Sequence, residues 1–250
     1  MMTTWTAAAV LLVACAPVTA YGQSVPNPRD ITGAWGPYRG GRGADPARAP
    51  PPATPLVLNG EYARAYEARR AAEAEAAKRG EPVPNPEGFC VPYGMPAMMS
   101  VALYPVEILQ TPGQVTIVAE AFSEVRRVYL DQPQLAIDEV PPGYYGHSVG
   151  RWDGDALVVD TVGIKPTVRG YQGMPHSDQM RITERIRLVA RDILHDRITI
   201  EDPVVLEKPV TYTLAYRRLP EYKMVEFVCD NNREYVDEKG LIRMKLGGRP

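Results

Sequence analysis

With 28 Lys and Arg against 30 Asp and Glu, the 250-residue chain has a formal net charge of -2 at pH 7. That balance excludes the basic footprint of a nucleic-acid binder and shows no basic membrane patch. The length supports one substantial core, with room for an irregular leader.

The chain opens as a secretory signal. An apolar run from Trp5 to Ala16 is followed by Val18-Thr19-Ala20, the small-residue pattern of a cleavage site. The run is too short to span a bilayer, which needs about 20 residues. Residues 1–20 are therefore expected to leave, with a mature start at Tyr21 and a periplasmic or secreted destination. Leu12-Val13-Ala14-Cys15 offers an alternative, a lipobox in which Cys15 becomes a lipid anchor to the outer membrane. No transmembrane span is expected in the mature chain.

Residues 21–58 are rich in Pro, Gly and Arg and read as a flexible or surface-draped leader. Ile31 to Trp35 stands out from it as a short strand docking its Trp. A single β-rich domain follows over 59–250, opened by a surface helix over 59–79. Asn59 is its expected cap and Lys78-Arg79-Gly80 its stop signal, and its apolar stripe is thin.

From Tyr104 onward the apolar residues recur with period two, broken by turns. Expected strands are 106–109, 115–118, 126–130, 147–152, 156–161, 180–189, 197–200, 210–216 and 224–229. Asp153-Gly154 is the strongest hairpin signal. Helices do not alternate with these strands, so a parallel sheet is not expected. The fold class is mainly β: an antiparallel barrel or strongly curved sheet, lipocalin-like, that can hold one small ligand.

Of the three cysteines, Cys15 leaves with the signal or carries lipid. Cys90 and Cys229 are then expected to pair in an oxidising compartment, the alternative being two separate buried thiols. The bridge would close a loop of about 140 residues and contribute on the order of 4 kcal/mol.

Three segments could carry chemistry. In a strand, His147 and Arg151 share one face, where a guanidinium could hold a carboxylate beside a proton-exchanging imidazole. Opposed to this is a solvated polar face backed by Trp152. His176 lies in a Gly- and Pro-rich loop of the kind that lines a barrel mouth. Tyr145 and Ser177 adjoin the two histidines and complete the expected substrate-binding set. Glu184 interrupts the apolar face of Met180, Ile182, Ile186 and Leu188. It is either a general acid or base, or half of a buried ion pair with Arg151 or Arg126. His195, between Asp192 and Asp196, reads as a surface turn. Neither a metal-ligand spacing nor a phosphate loop occurs, so no metal and no cofactor is expected.

The run from Gly146 to Thr161, GHSVGRWDGDALVVDT, resembles the hallmark of a family of exported bacterial proteins found in sphingomonads and acidobacteria. Cys90-Val91-Pro92 with Gly94-Met95-Pro96, Pro175-His176-Ser177, Thr183-Glu184-Arg185 and Val228-Cys229 extend the resemblance from about residue 50 to 235. Ala156 departs from it, since Thr or Ser is usual there. The resemblance implies breakdown of lignin-derived aromatic dimers, including decarboxylation of phenylcoumaran-type acids. In that chemistry Arg151 binds the carboxylate and His147 deprotonates a para-phenol. Opening of the cyclic ether with loss of CO2 gives a stilbene, and His176 or Glu184 protonates the departing phenolate. The expectation is a cofactor-independent lyase acting on a hydrophobic aromatic acid. The alternative is a non-catalytic periplasmic carrier of an apolar small molecule, or an envelope lipoprotein.

Overall fold

The computed structural model describes residues 27–39, 48–81, 91–100, 104–229 and 234–244. The expected signal over 1–20, Cys15 and Cys90 lie outside the described residues.

Nine strands close into a barrel in sequence order. They are β1 (Gly33–Pro37), β2 (Val106–Thr111), β3 (Gln114–Ala119), β4 (Glu124–Leu130), β5 (His147–Asp153), β6 (Ala156–Val162), β7 (Arg181–Ala190), β8 (Ile193–Glu201) and β9 (Val210–Arg218). Closure is antiparallel between β1 and β9, with Trp35 opposite Arg218. An odd-numbered ring cannot alternate direction all the way round, so one neighbouring pair must be parallel. Here it is β4 with β5, joined through Val128–Ser148 to Leu130–Gly150. A parallel pair needs a crossover rather than a hairpin, which residues 131–146 supply.

The two ends of the barrel differ as a consequence. One is closed by two-residue turns between Thr111 and Gln114, Asp153 and Ala156, and Ala190 and Ile193. Gly113 and Gly154, at φ +77° and +62°, meet the left-handed geometry that such turns demand. The other end receives the long connections 38–105, 163–180 and 202–209, and the arrival of the crossover into β5.

Alternation along each strand sends Ile108, Ile117, Leu157, Ile182, Ile186, Ile198 and Tyr212 into one contiguous core, together with Met95, Met98 and Met99 from the long connection. Met98 and Met99 belong to α2 (Ala97–Ser100), a single turn. The interior is a packed core of large side chains.

Helix α1 (Gly60–Lys78) lies on the outside, with Ala76 its one buried residue. The Asn59 side chain makes no cap; it donates to the Val204 carbonyl instead, at 2.8 Å. At the far end Gly80, at φ +68°, closes a Schellman motif. Its N–H donates to Ala77 O at 3.1 Å and that of Glu81 to Ala76 O at 2.9 Å. Residues 48–58 run along the barrel wall, where Thr54 N–H donates to Thr211 O and Leu58 bridges to Leu206.

Two expectations are corrected. His195 is not in a surface turn but inside β8, 8% exposed, with Nε2 3.0 Å from Arg48 O. Residues 224–229 form no strand, because β1 already occupies the edge of β9. A hairpin of β10 (Glu234–Val236) and β11 (Ile242–Met244) follows instead.

Candidate functional site

Among the described residues, two groups of buried charge bear on a site: one inside the barrel and one at its loop-bearing end. Inside, Arg126 of β4 is 1% exposed and Glu184 of β7 is 0% exposed. Their pairing is bidentate: Nη1 donates to Glu184 Oε1 at 2.8 Å, and Nη2 donates to Oε2. The same guanidinium donates to Ser148 Oγ at 3.1 Å and Thr161 Oγ1 at 2.9 Å, and those hydroxyls lie 2.8 Å apart. Every arm of the fork has a partner, the condition under which a buried cation is tolerated.

Asp196 of β8 joins this group from the next strand and is 0% exposed. Neither of its oxygens has a hydrogen-bond partner within ordinary distance among the described residues, although Glu184 lies beside it. Burial first, then the Glu184 charge, holds the Asp196 carboxyl well above the usual carboxylate range, with Arg126 opposing. A protonated Asp196 leaves one cation and one anion in the cluster. Tyr212 and Tyr216 close it from β9. Tyr216 donates to Met99 O at 2.5 Å, and Tyr212 stacks on Tyr171 at 4.0 Å between ring centroids.

At the loop-bearing end, Glu124 opens β4 and is 2% exposed. It accepts the backbone N–H groups of Tyr93 at 2.5 Å and Gly94 at 3.1 Å, which pins the segment 91–100 to the barrel. Burial raises its carboxyl above the ordinary range, against those two hydrogen bonds. The half-buried Tyr145 phenol is pushed up by burial and then by the Glu124 charge, so the two groups are within electrostatic reach. Gly94 is required here: its φ is +64°, and a Cβ would lie 2.5 Å from Tyr144 O.

Four partly exposed rings continue this surface. Tyr93 meets Phe122 edge-on at 4.9 Å, Phe122 lies 4.7 Å from Phe227, and Phe227 is 5.6 Å from Tyr104. Phe122 and Ser123 both sit at positive φ, +57° and +49°. Strain of that kind on non-glycine residues concentrates at functional surfaces. Lys165 Nζ lies 3.4 Å from the centroid of Tyr144, whose carbonyl accepts the Met95 N–H at 2.8 Å.

The expected catalytic residues are divided between these places. Ser148 faces inward, so its neighbour His147 faces outward, stacked on Tyr129 at 5.7 Å with Gln134 Nε2 3.4 Å from its Nδ1. Arg151 shares that outer face and is exposed, close to the tight-turn end. Glu184 is on the opposite face of the wall, and its partner is Arg126 rather than Arg151. The expected meeting of His147, Arg151, His176 and Glu184 is therefore corrected: period-two alternation alone separates the first two from Glu184.

His176 is 5% exposed; Nδ1 is 2.9 Å from Ser177 O and Nε2 is buried with no partner among the described residues. Ser177 ties connections together, donating from N and Oγ to Asp202 at 2.6 and 2.8 Å. Asp202 also accepts the N–H groups of Val204 and Val205. Of the expected set, Tyr145, His147, His176 and Ser177 lie at the loop-bearing end.

Among the described residues no three His, Cys, Asp or Glu side chains come close enough to share a metal ion. No described helix is long and apolar enough to cross a membrane.

Sequence reasoning missed Asp196 and Glu124. The first had a usable signal: Leu194, Asp196, Ile198 and Ile200 alternate on one face, as Glu184 does among its apolar neighbours. The second had none, since its partners lie about thirty residues away in an irregular segment. No family model and no curated protein matches the chain.

Proposed function

We propose that this chain is an exported β-barrel protein that binds a hydrophobic aromatic acid at the loop-bearing end. The ligand class comes from the resemblance of the Gly146–Thr161 run, and the place comes from the geometry. The observation that carries the reading is the surface where Tyr93, Tyr104, Phe122 and Phe227 adjoin the buried Glu124. Partly exposed rings supply stacking area for an aromatic body, while Lys165 supplies a cation for a carboxylate. The barrel interior is a poor alternative, because the Arg126 fork is already filled by Glu184, Ser148 and Thr161 within a packed core.

A second reading adds turnover: a cofactor-independent, decarboxylating lyase. Glu124 favours it, since a carboxyl raised by burial beside the Tyr145 phenol is suited to proton exchange. Without turnover the protein is a periplasmic carrier.

Mature protein mixed with lignin-derived aromatic acids, followed by intrinsic fluorescence and mass spectrometry, tests both. Saturable binding that Phe122→Ala weakens about tenfold, and no product, is the result expected of the carrier. Product lighter by CO2, absent with Glu124→Gln, establishes the lyase. Binding unaffected by Phe122→Ala removes the ligand from this end of the barrel and defeats both readings.

A further inference from the structure

A cavity of about 280 Å³ opens between α1 and the connection from β6 to β7. Its floor is apolar: Val168 is 4% exposed and Met174 is wholly buried. Its walls carry two guanidinium groups, Arg69 from the helix and Arg169 from the connection. Arg69 is fixed in place, with Nη1 2.5 Å from Glu73 Oε1 and Nη2 donating to Gly173 O at 2.5 Å. Tyr66 lies under it, 5.4 Å from guanidinium carbon to ring centroid, and donates its hydroxyl to Gln172 O at 3.0 Å.

Docking the helix accounts for Tyr66 and Arg69. It does not account for Arg169, which is exposed and has no polar partner among the described residues. It also does not account for the open volume between the two arginines. Two cations face one carboxylate, Glu73, so the cavity holds an uncompensated positive charge over an apolar floor. An anion with an apolar body is complementary to that arrangement, and the arginine fork favours a planar carboxylate. The volume is at the small end of ligand cavities, roughly 300 to 1,000 Å³, and admits a single ring.

We propose that this cavity is a binding site for a compact aromatic carboxylate. The carboxylate lies against Arg169 and Arg69, and the ring rests on Val168 and Met174. The site is separate from the Tyr93–Phe227 surface and stands whether or not that surface takes a ligand.

Benzoate titrated into the full-length chain by calorimetry is the test, with benzyl alcohol as the neutral probe of the same shape. Arg169→Gln removes the unpaired cation at an exposed position. Ala65→Trp fills the cavity from an exposed helical position and leaves the charges alone. Each variant should weaken benzoate about tenfold or more, and benzyl alcohol should bind the unaltered chain at least about tenfold more weakly than benzoate. Absence of benzoate binding at ~10 mM would overturn the site, and so would equal binding of the two probes. Benzoate bound equally by both variants and the parent places it elsewhere: the cavity proposal falls and the reading of the Tyr93–Phe227 surface stands.

Discussion

Replacing Arg126 with Met removes the cation that pairs with Glu184 and retains most of its volume. Glu184 is then left beside Asp196 with no counter-charge, at 0% exposure for both. An isolated surface pair at this spacing is worth roughly 0 to 1 kcal/mol, but breaking a fully buried one costs about 3 to 5 kcal/mol. Most of that is the desolvated charge left behind. A domain of this size holds about 5 to 15 kcal/mol in total, so the variant loses a large part of its margin. At roughly 2 to 4 °C per kcal/mol, the melting temperature should fall by about 6 to 20 °C. Urea unfolding followed by circular dichroism reads the free energy, and calorimetry reads the midpoint. Arg126→Met with Glu184→Leu and Asp196→Leu should recover most of the lost stability, because no charge then remains in that cluster. Arg185→Ala breaks the exposed pair with Asp153, 2.8 Å apart, and serves as the solvent-screened control. A loss for Arg126→Met no larger than that of the control would refute the reasoning.

Asp196→Asn probes the neighbouring acid through pH. The folded state raises the Asp196 carboxyl, so its stabilising proton is fully held below about pH 4 and is lost as pH rises through the folded value. The variant, neutral throughout, should match the parent near pH 3 and exceed it in urea midpoint at pH 8; parallel pH curves would show that Asp196 ionises normally. Gly94→Ala forces a Cβ to 2.5 Å from Tyr144 O at positive φ, and should destabilise by about 1 to 3 kcal/mol in thermal melts. An unchanged midpoint would mean the 91–100 segment is not seated on Glu124 as described. Peptide mapping without reductant should recover Cys90 joined to Cys229, and alkylation of both thiols in the unfolded, unreduced chain would dismiss the pairing. The same map reads the first residue, Tyr21 on the secretory route or a lipid-bearing Cys15 on the alternative.

The barrel was legible because each wall strand buries one face and wets the other. Met180 to Val189 announced itself through Ile182, Ile186 and Leu188, and it forms β7 with an outer face of Arg181, Thr183, Arg185 and Arg187. Turn chemistry was equally readable at Asp153-Gly154. The correction at β8 has a plain cause: a polar side chain is not always an exposed one. His195 and Asp196 look like turn residues because both are polar, yet β8 runs through them, with Asp196 buried beside the Glu184–Arg126 pair that reaches it from across the barrel. A cross-barrel partner leaves no local trace in sequence. The 224–229 segment failed differently. It has strand-like composition, but closure of β9 on β1 leaves no free edge to receive it. It packs over the loop-bearing end, where Val225 N–H donates to Glu120 at 3.1 Å and the hydroxyl of the preceding Tyr222 donates to the same carboxylate at 2.5 Å.

The proposed function puts stability and ligand binding at different depths of one barrel, and the two can be separated. The Arg126–Glu184–Asp196 cluster is reached only by opening the wall, since its members are at most 1% exposed. Glu124 starts the same strand two residues before Arg126, so it shares a face with it, yet its hydrogen bonds go to the connection at the barrel's end. Strand β4 thus carries both groups on one inward face, one closed in by protein and one beside the surface rings. Substitution at Arg126 should lower the folded fraction while leaving ligand affinity per folded molecule unchanged. Phe122→Ala should do the reverse, because a partly exposed ring contributes little core burial. Loss of both properties together in the Arg126 variant, measured well below its melting temperature, would mean that the interior cluster itself takes part in the site.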